Sequence, residues 1–269
     1  MKINIDEYKL QSIIKDKLSN KKPFLITRFG EGEMRVFEGG HELRWIMNNM
    51  IGYVPDEKIM NEIKLNMEKS IINSDITGLP SYKSLISEED VIKSPIDILY
   101  KKIYLVFREV FEKYKKNESN FDYCDVNVHS KFFHKNLFEG LLKNLDELTI
   151  ITCRDICDDL KKFYNIKKII HYKIPPEFRF EDDPSKIRFN FYPEVHTQIK
   201  NSILNTDNSG KLCLYGAGII GKDLGYYFKQ SGGVAFDIGS IFDHWVGKVT
   251  RGTGKGRNKY VESPLRKTN

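Results

Sequence analysis

"LCLYGAGIIGKDLGYYFKQSGGVAFDIG", Leu212 to Gly239, runs from one apolar segment through Gly216, Gly218 and Gly221 into a helical pattern, then into a second apolar segment ending on Asp237. Glycines at such a turn let the backbone approach a phosphate at a helix N-terminus. Strand, G-x-G-x-x-G and helix in this order therefore predict a β-α-β unit with an anion site at its carboxyl edge. Asp237 follows Gly216 by twenty-one residues, the distance at which an acid meets a ribose in a dinucleotide-binding unit. One reading is accordingly an oxidoreductase that binds NAD(P) through GAGIIG. Against it, such a turn usually opens its domain, whereas only about thirty residues follow Asp237. In addition, Lys222 follows the third glycine and no group typical of a dehydrogenase lies downstream. A turn for another nucleotide's phosphates, or one that packs a helix closely on a sheet, fits as well.

Working outward, the apolar runs "LTIITC" (148–153), "KKIIHYKI" (167–174), "KLCLYG" (211–216) and "GVAFDIG" (233–239) alternate with helical patterns near 155–164, 193–204 and 219–231. This alternation predicts an α/β fold, a Rossmann-like, mainly parallel sheet with helices on both faces and ligands at the carboxyl ends of its strands. In the first half, Leu10, Ile13, Ile14 and Leu18 form the stripe of an amphipathic helix, and Pro23 opens the strand "PFLITRF". Helical patterns occupy 41–50 and 56–73, "DITGLP" (75–80) reads as a short strand, and Ser94-Pro95 starts a helix to about Lys116. The insert 175–193 reads as a polar and aromatic loop, either facing a substrate or only solvated. No internal repeat is present.

With 269 residues, 40% of them hydrophobic, the chain can bury a substantial core. It lacks both an apolar run long enough to span a bilayer and the order of a signal peptide at its start, which implies a cytoplasmic protein. Four cysteines without an even framework fit a reducing compartment. Cys153 and Cys157 lack a second pair at zinc spacing and read as packing residues. The net charge of +6 lies in residues 248–269, which carry seven basic residues and one acid; the first 247 residues balance. The organisation expected is one α/β domain over 1–247 and a basic, flexible tail over 248–269. A nucleic-acid-binding module would have to rest on that tail, which has few interleaved aromatics, so no nucleic-acid partner is expected.

"FLITRFGEGEMRVFEG", Phe24 to Gly39, places Glu31 and Glu33 beside Gly30 and Gly32 where an apolar strand stops. On an extended or tightly turned backbone, residues two apart project to one side. Both carboxylates would then face a point beyond the sheet and hold a hard divalent cation together with phosphate oxygens. Arg28 precedes them as a bidentate partner for an anion. The alternative is a helix start whose acids complement the helix dipole. Further on, Asp243 and His244 follow the last strand beside Trp245 and supply a candidate base and metal ligand, or simply structural groups. The Lys/Arg/Gly run after them offers positive charge to a diphosphate, or is a solvated tail.

Together, "ITRFGEGEM" and "LYGAGIIGKDLGYYFKQSGGVAFDIGSIFDHW" resemble the bacterial glycosyltransferases of the GT-D fold, with their R-F-G-D-G-E-like and late G-x-G, A-I-D-I-G-like blocks. The resemblance runs from about residue 20 to 247. It implies a metal-dependent hexosyltransferase that takes a nucleoside diphosphate sugar, typically a UDP-sugar, and transfers the hexose to a glycan or glycoprotein acceptor. Carried over, the family's Asp-x-Glu falls on Glu31 and Glu33, here with Glu in the first position, and implies Mn²⁺ or Mg²⁺ between them. The donor site would comprise Thr27, Arg28, Gly30, Gly32, Gly216, Gly218, Gly221 and Lys222. Tyr82 would stack on donor or acceptor, or else join the core. Asp243 and His244 would sit near the reacting centre.

Overall fold

In a computed structural model, residues 3–80, 95–117, 120–178, 191–250, 259–260 and 262–265 are described. Tyr82 and most of the 175–193 insert lie outside them. Among the described residues the chain runs α1 (Glu7–Ser19), β1 (Phe24–Arg28), α2 (Glu31–Glu38), α3 (Gly40–Ile51), α4 (Glu57–Ile72), β2 (Ile76–Leu79) and α5 (Pro95–Lys113). It continues through β3 (Asp122–Asp125), α6 (Val128–His134), α7 (Glu139–Leu142), β4 (Glu147–Thr152), α8 (Cys157–Tyr164), β5 (Lys168–Lys173) and α9 (His196–Leu204). Last come β6 (Leu212–Tyr215), α10 (Lys222–Gln230), β7 (Val234–Asp237), α11 (Ile241–Trp245), β8 (Lys248–Val249) and β9 (Lys259–Tyr260).

Seven strands form one sheet in the order β3-β2-β1-β7-β6-β4-β5, and every pairing in it is parallel. Parallel neighbours need crossovers, and the crossovers bury both faces. The strand residues divide with period two between two cores. Leu25, Cys213, Tyr215 and Ala235 join the core under α2, α3, α4, α5, α9 and α10. Phe24, Ile26, Leu212, Leu214, Val234 and Phe236 join the opposite core with Leu10 and Ile14 of α1, Phe132 of α6, Leu160 of α8 and Trp245 of α11. The fully buried pattern of β6 and β7, and of β1 as far as Thr27, follows from this position between two helical layers.

The helix starts obey local chemistry. Asp6 and Asp56 cap α1 and α4 by accepting the Lys9 and Ile59 amides at 2.8 Å. Asn165 and Gly52 end α8 and α3 in the left-handed conformation. Among the described residues no helix is long and apolar enough to cross a membrane, and all four cysteines are free.

Described residues beyond 247 pack on the body. Lys248 and Thr250 are each 2% exposed, Ser263 donates to the Trp245 carbonyl at 2.5 Å, and Leu265 enters the core beside Trp245. The described parts of 248–265 thus belong to the body, held by β8 pairing antiparallel with β9.

Candidate functional site

The chain leaves β1 towards β2 and β3 on one side and returns through β4 to β7 on the other, so the last strand lies against the first, with Phe24 opposite Val234 and Ile26 opposite Phe236. A crevice at the carboxyl ends of the strands is the consequence of such a switch. A cleft of about 750 Å³ occupies this place, lined from β1, α2, α3, β4, the β6-α10 turn and the segment after β7. That volume suits a ligand of nucleotide size.

Its floor is a chain of alternating charges. Arg28 Nη2 donates to Asp237 Oδ1 at 3.0 Å, Lys222 Nζ donates to Asp237 Oδ2 at 2.8 Å, and Lys222 Nζ lies 2.6 Å from Glu33 Oε1. Lys222 Nζ also donates to the Arg28 carbonyl at 3.0 Å. An ammonium has three hydrogens, and these three acceptors take them all. Glu33 Oε2 accepts the Gly30 amide at 2.9 Å, which caps α2. Arg28 Nη1 faces the His129 ring at 3.2 Å, while Arg28 Nε is buried without a hydrogen-bond partner among the described residues.

Burial pushes the Asp237 carboxyl upward, but Arg28 and Lys222 outweigh it and hold the group well below the usual carboxylate range. Glu33 is likewise pushed up by burial and then drawn below its ordinary value by Lys222 and the Gly30 amide. Burial works against the Lys222 ammonium, which Asp237 and Glu33 nevertheless raise. The sign for stability is therefore fixed. Asp237 and Glu33 contribute fully above about pH 4, the unfolded carboxylate value, and their contribution disappears as pH falls through the depressed folded values. Lys222, raised, contributes below about pH 10.4 and loses its share as pH rises beyond it. The urea midpoint is expected to stay flat from about pH 8 to 5 and to fall steeply below about pH 4. A midpoint that holds or rises between pH 4 and 3 would contradict this account of the floor.

Above the floor, Asp243 of α11 is paired with Arg154 after β4, Nε to Oδ1 at 2.6 Å, and accepts the Thr250 hydroxyl at 2.5 Å. At the rim, Arg35 donates to Glu31 at 2.7 Å, also pairs with Glu42, and lies over the Trp45 ring with 5.0 Å to its centroid.

This fold has solved counterparts. The chain is similar to a selenomethionine-substituted structure of domain of unknown function 1792, with a TM-score of 0.55 and 17% identity over 97% of this chain and 91% of that one. A second structure of that highly conserved domain, described as having a distinct glycosyltransferase fold, gives a TM-score of 0.49 and 16% identity over 89% of this chain and 78% of that one. No protein-family profile matches the chain, and no curated protein does.

The structure brings together most of the residues singled out in the sequence. Arg28, Gly30, Glu31, Gly32, Glu33, Gly216, Gly218, Lys222 and Asp243 all line the cleft. Thr27 is fully buried in β1, on the face it shares with Leu25. Gly221 serves packing, since a Cβ there would press on Ala217 and Phe191. His244 stacks on Phe133 at 5.6 Å between centroids, and Tyr82 lies outside the described residues.

Glu31 and Glu33 lie on a helix and not on an extended backbone. After Phe29 the chain enters α2, where residues two apart point about 200° apart around the axis. Glu33 turns to the floor, whereas the Glu31 side chain is 51% exposed at the rim. Among the described residues no group of three or more His, Cys, Asp or Glu side chains gathers around a cation position.

The residues behind the NAD(P) reading also have structural tasks. Asp237 is 3% exposed and pairs with Arg28 through one oxygen and Lys222 through the other, so it has a structural task in the floor. A Cβ on Gly216 would meet the Gly239 carbonyl at 2.5 Å, so the glycine admits the chain's own backbone. Residues not anticipated in the sequence are His129, Arg154, Arg35 and Trp45. Arg154 had a signal: it stands just beyond the carboxyl end of "LTIITC", where α/β folds place ligands. His129 follows a strand too short to be seen.

Proposed function

We propose that this protein is a glycosyltransferase that moves a hexose from a nucleoside diphosphate sugar, a UDP-sugar by resemblance, to a glycan or glycoconjugate acceptor. The observation that carries the reading is the meeting of the two resembling blocks. They lie nearly two hundred residues apart in sequence, yet β1 pairs with β7 and two ion pairs, Arg28 with Asp237 and Glu33 with Lys222, tie them into one floor. The fold likeness over 97% of the chain supports the architecture.

In this reading Arg28 supplies positive charge to the diphosphate, Lys222 fixes the floor beneath it, and Arg154 orients Asp243. Asp243, held by Arg154 and Thr250, stands at the polar end of the cleft, where the acceptor hydroxyl would approach. Among the described lining residues five carboxylates (Glu31, Glu33, Glu177, Asp237, Asp243) face four fixed cations (Arg28, Arg35, Arg154, Lys222). With its cations balanced by carboxylates, the cleft has no surplus positive charge for a bare diphosphate and suits one that brings a divalent cation with it. Mg²⁺ or Mn²⁺ held by one carboxylate, substrate phosphates and water needs no protein cage. Glu31, exposed at the rim, fits that role, whereas Glu33 is committed to Lys222 and Gly30. When bound, the cation neutralises the departing diphosphate.

The test is thermal shift and donor hydrolysis across UDP-, GDP- and dTDP-sugars and NAD(H), each with Mn²⁺ and with EDTA. Stabilisation and slow hydrolysis of one sugar nucleotide with Mn²⁺ is the expected result. Stabilisation by NAD(H) alone, indifferent to EDTA, would overturn the proposal.

A further inference from the structure

We infer that the exposed face of Trp45 is the platform on which the base of the donor nucleotide stacks; this rests on the proposed use of a nucleoside diphosphate sugar. Trp45 lies on α3 and lines the cleft while remaining 43% exposed. Exposed tryptophans are uncommon because they leave a large apolar area in water, and they are enriched where a partner covers them. The indole is also held in place. Arg35 lies over the ring, and Glu31 and Glu42 hold the guanidinium from two sides.

The cleft is divided in the way the ligand is. At the α3 end stand Trp45, Ile46 and Met50, with Met50 against Gly218 of the β6-α10 turn. On the other side of that turn, where Gly216 packs on Gly239 and Phe242, stand Ser240, Asp243 and Arg154. Cations lie between, on the floor. A nucleoside diphosphate sugar has the same order: a flat base, two phosphates, and a ring of hydroxyls. A base stacks on any aromatic face and gains from an adjacent guanidinium, whereas hydroxyls need the hydrogen-bonding groups of the Asp243 end. The base therefore belongs on Trp45.

The chain has two tryptophans and Trp245 is 1% exposed, so direct contact quenching by a soluble ligand falls on Trp45, and affinities of wild type and of the variants that lack Trp45 are read by isothermal titration calorimetry. The experiment titrates the full chain with UDP, GDP and dTDP, and in parallel with inorganic diphosphate, all with Mn²⁺, in wild type, Trp45→Phe and Trp45→Ala. The expected result is quenching of wild type by a nucleoside diphosphate, with affinity lowered about tenfold or more in Trp45→Ala, less in Trp45→Phe, and inorganic diphosphate bound equally by all three. Unchanged nucleotide affinity in Trp45→Ala overturns the inference and leaves the glycosyltransferase reading intact. So does equal loss of nucleotide and inorganic diphosphate, or a loss confined to oligosaccharide binding. If wild type binds none of the nucleoside diphosphates, the glycosyltransferase reading falls and this inference falls with it.

Discussion

Lys222→Met should lower the unfolding free energy by about 3–5 kcal/mol, the usual effect of removing one partner from a buried ion pair. Against a total of about 5–15 kcal/mol this is a large share, and it corresponds to a fall in Tm of roughly 10 °C. The reason lies in what remains. Lys222 is 3% exposed, and its ammonium donates to Glu33, Asp237 and the Arg28 carbonyl. Without it two carboxylates and a carbonyl stay in the floor, and Arg28 reaches one oxygen of Asp237. Urea denaturation at pH 7 measures the loss. Adding Glu33→Gln to Lys222→Met should cost less than the same change in wild type, by about 1 kcal/mol or more, because the orphaned charge is then gone. A variant within 1 kcal/mol of wild type that fails only in donor binding would make Lys222 a phosphate ligand instead of the keystone of the floor.

The same residue shows how far the sequence could be read. "LYGAGIIGKDLGYYF" announces its strand, turn and helix, because glycine spacing and a hydrophobic stripe are local properties. That Lys222 points inward to Glu33 and Asp237 is a long-range fact, fixed only when β1 and β7 pair. Strand β3 escaped for a different reason. "DYCD" has two apolar residues between acids, too few for a period, and it becomes a strand by pairing with β2, Thr77 opposite Tyr123 and Gly78 opposite Cys124. With β3 unseen, His129 on the helix after it was invisible as a site residue. The turn into α2 was open in the sequence, since Gly-Glu-Gly-Glu suits both a cation loop and a helix start. Burial of Met34 and Val36, together with the Glu33 cap, decides for the helix, and that decision separates the two carboxylates on which the cation reading rested.

Separating them gives each its own expected phenotype. Glu31→Gln should leave stability within about 0.5 kcal/mol of wild type, since an exposed i,i+4 pair such as Glu31 with Arg35 contributes little. It should nevertheless reduce Mn²⁺-supported donor hydrolysis about 100-fold or more, the scale of removing a ligand that holds charge-neutralising metal in place. The Mn²⁺ concentration giving half-maximal rate should rise with it. Glu33→Gln should show the reverse balance. The Gly30 amide keeps an acceptor, but Lys222 loses one of two carboxylates, so the fold weakens by about 1–3 kcal/mol. Any fall in activity should then track the folded fraction more than the Mn²⁺ concentration. Both variants are measured by urea denaturation and by hydrolysis rates across a Mn²⁺ titration. If Glu31→Gln keeps the wild-type Mn²⁺ response while Glu33→Gln loses it with the fold intact, the cation belongs to Glu33, and the Lys222 contact must open when the donor binds.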